Sequence, residues 1–155
     1  MNAHYFYGSA PAEDELMNAV FSGENTIDAL KAAAKQHKFL YTEKISLWNE
    51  LHLALMGCPG TEAISHEPLS QAIVGVDFID DGHVAYTLLE DLDDIVSALN
   101  EVDEGSFLDK YLQLNGVENQ EKALTEFIAL KNFYNRCRDH HGDDDYILVV
   151  GIYCD

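Results

Sequence analysis

His52, Cys58, His66 and Ser70 are the side chains in this 155-residue chain whose types and spacing could do chemistry. They lie in the stretch 48–75, WNELHLALMGCPGTEAISHEPLSQAIVG, with the single tryptophan, Trp48. An imidazole titrates near neutral pH and can exchange a proton with a neighbouring thiol or hydroxyl. Cys58, in the turn Gly57-Cys58-Pro59-Gly60, with His52 and His66 is the conceivable thiol–imidazole pair. His52 with Ser70 or His66, beside Trp48, is the conceivable polar pocket. The structural role takes the larger share. In it His52 is a core-edge histidine bonded to loop backbone, Trp48 a core anchor, and Pro68 and Ser70 parts of a helix start.

The other constellations fail on spacing. Asp139-His140-His141-Gly142-Asp143-Asp144-Asp145 contains metal-ligand types, but adjacent histidines at a helix end do not set up a closed tetrahedral site. A solvated turn accounts for the run. Asp77-Phe78-Ile79-Asp80-Asp81-Gly82 has the start of a calcium loop, yet Ile79 and Leu88 occupy the third and twelfth positions, where oxygen ligands are needed. No P-loop, GxGxxG, GxSxG or zinc-protease spacing occurs. No catalytic residue, metal or cofactor is therefore expected, and an enzyme is the less favoured class.

Charge is the stronger signal. The formal net charge is −19, and between Lys44 and Lys110 there is no Lys or Arg. That window holds half of the chain's 28 acids, among them Asp77, Asp80, Asp81, Glu90, Asp91, Asp93 and Asp94. Such a field repels phosphate, so neither nucleic acid nor an anionic membrane is an expected partner. A basic protein is, with the seven named acids as a charged rim and Tyr86 as an aromatic anchor. The competing reading of the acidity is simple solubility.

The elements that would position these residues follow from periodicity and punctuation. Residues 4–7 read as a first strand, and Pro11 as the start of a helix through Leu16, Ala19 and Val20 to Gly23. Asn25 or Thr26 caps a second helix, and a third spans about 45–56, ended by Gly57 and Pro59-Gly60. Pro68 opens a short helix stopped at Gly75; Val84–Tyr86 reads as a strand. Thr87 and Glu90 form a capping-box pattern for a helix through Leu99, and Ser106 and Asp109 cap a shorter one ending at Asn115-Gly116. A last helix over about 119–140 leads to YILVVGIY, residues 146–153, whose nearly continuous apolar run predicts a central strand buried on both faces. The expected class is α+β: one domain over residues 1–155, with several helices on a small mixed sheet.

Cys58, Cys137 and Cys154 form no CxxC spacing, the first residues lack a signal-peptide pattern, and no apolar run nears the roughly 20 residues that span a bilayer. A cytoplasmic location is the expectation.

Trp48-x-x-Leu51-His52-x-x-Leu55-x-Gly57 is followed by Pro68-Leu69-Ser70-x-Ala72-Ile73-x-Gly75. Then come Ala85-Tyr86-Thr87 before an acidic helix, and Glu126-Phe127 with Leu130-Lys131-Asn132-Phe133-Tyr134 before a glycine turn and terminal apolar strand. In order and separation these resemble the YfbM-like family, a bacterial domain of unknown function. The resemblance implies a compact α+β domain on a mixed sheet and carries no settled activity. The leading functional expectation is a non-enzymatic, acidic protein-binding domain, such as an immunity protein that neutralises a toxin. The alternative is a small-molecule-binding or hydrolytic domain with its pocket around Trp48, His52, Cys58, His66 and Ser70.

Overall fold

The computed structural model describes residues 3–11, 15–22, 24–62, 67–79, 84–140 and 145–153. In chain order these form β1 (Ala3–Pro11), α1 (Glu15–Phe21), α2 (Thr26–Lys35), β2 (Tyr41–Ile45), α3 (Trp48–Met56), a 3-10 turn (Gly60–Glu62) and α4 (Pro68–Val74). There follow β3 (Asp77–Phe78), β4 (Val84–Thr87), α5 (Leu89–Glu101), α6 (Glu104–Asn115), α7 (Gln120–His140) and β5 (Asp145–Tyr153). The strands make one sheet in the order β2-β1-β5-β4-β3. The α+β class and the central C-terminal strand are borne out, β5 being paired along both edges. Every described pairing is antiparallel, where a mixed sheet was expected.

Alternation along the strands splits the core between the two faces of the sheet. Phe6 faces a large cluster with Ile45 of β2 and with Leu51, Ile73, Leu92, Ile95, Leu99, Phe107, Phe127, Leu130 and Tyr134, supplied by α3 through α7. Its neighbour Tyr7 faces the other way, into a smaller cluster with Val20, Leu30, Ala33, Phe39 and Val84 under α1 and α2. Helices thus cover both faces. On α5, Leu92, Ile95, Val96 and Leu99 are buried at helical spacing, while Glu90, Asp93 and Asp94 are exposed. Burying each of those leucines contributes roughly 1.5–3 kcal/mol, so the apolar stripe fixes which face of α5 is left acidic.

Several boundaries differ from the sequence expectation. β1 continues through Pro11 instead of yielding to a helix there. It pairs with β5 as far as Pro11↔Asp145, after a register shift between Tyr7 and Ala10. Residues 41–45 form strand β2, so α3 begins only at Trp48. No side chain caps α5, whose N-cap is Leu88, so the capping box at Thr87 and Glu90 does not form. α6 is capped by Asp103, which accepts from the Ser106 backbone N–H at 3.1 Å, in place of caps at Ser106 and Asp109.

Gly75 joins α4 to the β3–β4 hairpin. Its φ of +79° is in the left-handed region, and a Cβ there would lie 2.8 Å from the Ala85 Cβ. The turn and the close approach both require glycine.

Candidate functional site

The first candidate is the buried joint between α3, α4 and β1. His52, on α3, is fully buried, and Leu51 and Ala54 of the same helix are buried with it. Its Nδ1 lies 2.7 Å from the Cys58 carbonyl oxygen and its Nε2 lies 2.7 Å from Ser70 Oγ. A carbonyl only accepts, so Nδ1 carries the hydrogen and donates it, leaving Nε2 to accept from the Ser70 hydroxyl. Burial lowers the His52 pKa below its usual value, and the bond to Cys58 offsets this in part. A neutral imidazole accepting from a serine is a nucleophile-activating geometry. Here both side chains are at 0% exposure, so the pair instead fastens α4 and the Cys58 loop to α3.

Trp48 stacks on a residue absent from the sequence-derived set, His4 of β1, with ring centroids 4.0 Å apart and planes 12° apart. Gly60 presses on the same indole, where an added Cβ would meet Cζ3 at 2.5 Å, and its N–H donates to Asn49 Oδ1 at 2.6 Å. His4 Nδ1 is 2.9 Å from the Ile73 carbonyl oxygen, to which it donates. The Tyr134 hydroxyl donates to the adjacent Ala72 carbonyl at 2.8 Å. The last turn of α4, whose carbonyls lack intrahelical donors, is thus satisfied by side chains from β1 and α7. Among the described residues His4 Nε2 has no hydrogen-bond partner, and burial, with a smaller contribution from His52, pushes the His4 pKa down to about 4.

Of the five expected pocket residues, the structure ties His52, Cys58 and Ser70 together and sets Trp48 beside His4; His66 lies outside the described residues. Ser70→Ala is expected to cost about 2 kcal/mol, since it leaves a buried imidazole lone pair without a donor. Urea unfolding at constant m value reads this directly, and a loss below about 0.5 kcal/mol would show that the bond is not holding the joint.

The second candidate lies at the β3 end of the sheet. Asp77 sits directly across from Tyr86 in the β3–β4 ladder. Tyr86 projects from the same face of the sheet as Val84, where it meets Phe21 of α1 with centroids 5.9 Å apart and planes at 70°. Phe21, Phe78, Ile79, Tyr86 and Leu88 line a cleft of about 390 Å³. Phe78 is 55% exposed, a large apolar side chain standing beside an acid at the sheet edge. Leu88 leads straight into α5, placing Glu90 and Asp91 in its first turn, with Asp93 and Asp94 immediately after. Asp77, Glu90, Asp93 and Asp94 are exposed and Asp91 partly so. Asp80 and Asp81 lie outside the described residues.

The sequence grouped Asp77, Tyr86 and the α5 acids as one charged rim with an aromatic anchor but did not show the cleft beside them. The signal was the pair Phe78-Ile79 inside an otherwise acidic segment, read only as a failed calcium loop. Among the described residues no group of three or more His, Cys, Asp or Glu side chains could hold a metal. No described helix is long and apolar enough to cross a membrane.

No curated protein matches the chain. The crystal structure of YfbM from Escherichia coli, a protein of unknown function, superposes with a TM-score of 0.67 at 20% identity, covering 98% of this chain and 100% of that one. At that identity the likeness shows the fold. A family described as a domain of unknown function, DUF1877, matches residues 10–143, well over half the chain. With the same fold as YfbM and that match, the chain belongs to the DUF1877 family, as the YfbM-like motifs around Trp48, Ser70 and Tyr86 imply.

Proposed function

We propose that this chain is a cytoplasmic, non-enzymatic binding domain that docks a basic protein on the acidic end of its sheet. The observation that carries the reading is the cleft at Tyr86, lined also by Phe21, Ile79 and Leu88, beside Asp77 and the start of α5 in a run of sequence free of Lys and Arg. An apolar centre with a charged rim is the general anatomy of a protein interface. The rim sets association rate and partner choice, and the desolvated centre sets residence time. The fitting partner class is a basic toxin domain, for which this chain would be the immunity protein. The joint at His52 and Ser70 supports the reading from the other side. The His52 ring nitrogens and the Ser70 hydroxyl are engaged in holding the fold.

The product of the neighbouring gene, purified and mixed with this chain, is expected to form a complex at roughly 0.05 M salt that weakens steeply toward 1 M, where the Debye length shrinks to about 3 Å. Replacing Asp93 and Asp94 together by lysine is expected to slow association about tenfold with little change in dissociation. Absence of a complex at low salt, or a rate indifferent to the reversal, would remove the proposal's support.

A further inference from the structure

Resting on the docking reading, we infer that the cleft at Tyr86 receives an arginine side chain of the basic partner, held between aromatic faces within the acidic rim. Two of its lining residues, Phe21 and Tyr86, meet as aromatic side chains on one face of the sheet, while Phe78 pairs with Ala85 and alternation turns its ring to the other face. Phe21 and Tyr86 meet at 70°, forming a corner and not a closed stack. An aromatic face carries negative quadrupolar potential, so a cation placed over it is attracted, more strongly where water is partly excluded. Guanidinium is the cation best suited to such a site, because it is planar, weakly hydrated and able to stack. The three methylenes of the arginine stem would lie on Ile79 and Leu88, which offer apolar side chains to a stem but nothing to a compact charge.

Size and charge agree with that occupant. A cleft of about 390 Å³ is near the lower end for ligand sites, suited to one long side chain. Asp77 lies across the ladder from Tyr86, on the same face of the sheet, and Glu90 and Asp91 follow Leu88 by two and three residues in the first turn of α5. An aliphatic or aromatic anchor would fill the same volume but would leave that negative field uncompensated.

The sheet edge also disfavours the other common way of docking there, addition of a strand. Ile79 donates its N–H to the Val84 carbonyl at 2.8 Å, so Ile79 belongs to a hydrogen-bonded pair of the ladder. Alternation then turns the Phe78 N–H outward. That N–H is already taken by Asp77 Oδ1 at 2.8 Å. An edge blunted by its own carboxylate does not template a new strand. A partner must therefore enter by a side chain.

The test uses the full chain and three blocked amino acids in place of the partner: N-acetyl-arginine methylamide, its uncharged citrulline counterpart and the leucine analogue. Ring resonances of Phe21 and Tyr86 are expected to move with the arginine compound and hardly at all with the citrulline or leucine compound. Tyr86→Leu is expected to weaken the arginine interaction about fivefold, whereas Phe78→Leu, on the other face of the sheet, is expected to leave it unchanged. Equal shifts from citrulline or leucine, arginine shifts confined to α5, a Tyr86→Leu variant that binds arginine unchanged, or no shift at all would each overturn the assignment. None of these results touches the docking reading, which stands or falls on the salt-dependent complex and the Asp93 and Asp94 reversal.

Discussion

Lowering the pH from about 6.5 to 4 is expected to remove about 3 kcal/mol of stability through His4 alone. Its pKa falls from 6.5, the unfolded value, to about 4 in the fold. Across that interval the unfolded chain binds a proton that the folded chain refuses, so stability rises with pH between the two values and is lost as pH falls through them. Each pKa unit is worth 1.36 kcal/mol, which gives about 3 kcal/mol over the window. The cause is structural. Nδ1 already donates to Ile73, one ring face is against Trp48, and Nε2 is buried with no acceptor for a second hydrogen among the described residues. His52, its neighbour, is depressed in the same direction by burial.

A second effect opposes this one and must be separated from it. Protonating carboxylates on a chain of formal charge −19 relieves self-repulsion over the lower part of the same pH range. The discriminating comparison is between the native chain and His4→Phe, which keeps a flat ring against Trp48 and carries the same acids. Urea unfolding at several pH values is expected to show the variant's disadvantage at pH 7 shrinking by about 3 kcal/mol by pH 4. A difference that stays flat across the window would show that His4 takes up its proton without hindrance. Trp48 fluorescence gives an independent reading at the same ring, since the indole reports the stack itself.

The parts of this architecture visible in sequence are those set by local spacing. The α5 stripe of Leu92, Ile95, Val96 and Leu99 fixes both a buried face and an acidic one without reference to any other element. The 146–153 run gave a central strand because no other arrangement satisfies so many consecutive apolar residues. What stayed hidden depends on contacts across long separations. β2 has two charged residues in five and becomes a strand because β1 is there to pair with. β3 is two residues long, set by Gly75 and its pairing with β4. His4 looked like one more aromatic-rich strand residue; its significance comes from Trp48 and Ile73, the latter 69 positions away. The joint was recognisable as a joint from Trp48, His52 and Ser70, but its β1 member was not. The cleft was the reverse case, in which the acidic rim was legible and the meeting of Phe21 with Tyr86 was not.

Glu126 is the strongest instance of a residue whose role cannot be read locally, and its removal is expected to cost about 4 kcal/mol. It sits on α7 beside Phe127 and Leu130, almost wholly buried at 9% exposure. Its two carboxylate oxygens accept from the backbone N–H groups of Ser46 at 2.9 Å and Leu47 at 2.7 Å. Those residues lead into α3, whose N-cap, Leu47, has no side chain able to satisfy the first turn. A carboxylate from a helix some 80 positions on therefore does the work of a local cap, and its charge lies at the positive end of the α3 dipole. Bonds to a charged group contribute about 1.5–3 kcal/mol each. Glu126→Leu breaks both and leaves two backbone donors without an acceptor. Glu126→Gln keeps one oxygen, loses the charge and turns an amide N–H₂ toward a donor, so about half the cost is expected. Unfolding free energies should therefore rank native, Gln, Leu, with two clear steps. Because α3 carries Trp48 and His52, the leucine variant should also alter Trp48 emission in the folded state, before any global unfolding. Two equal losses below about 1 kcal/mol with unchanged emission would mean that the α3 start is held by its own packing, with the carboxylate only filling space.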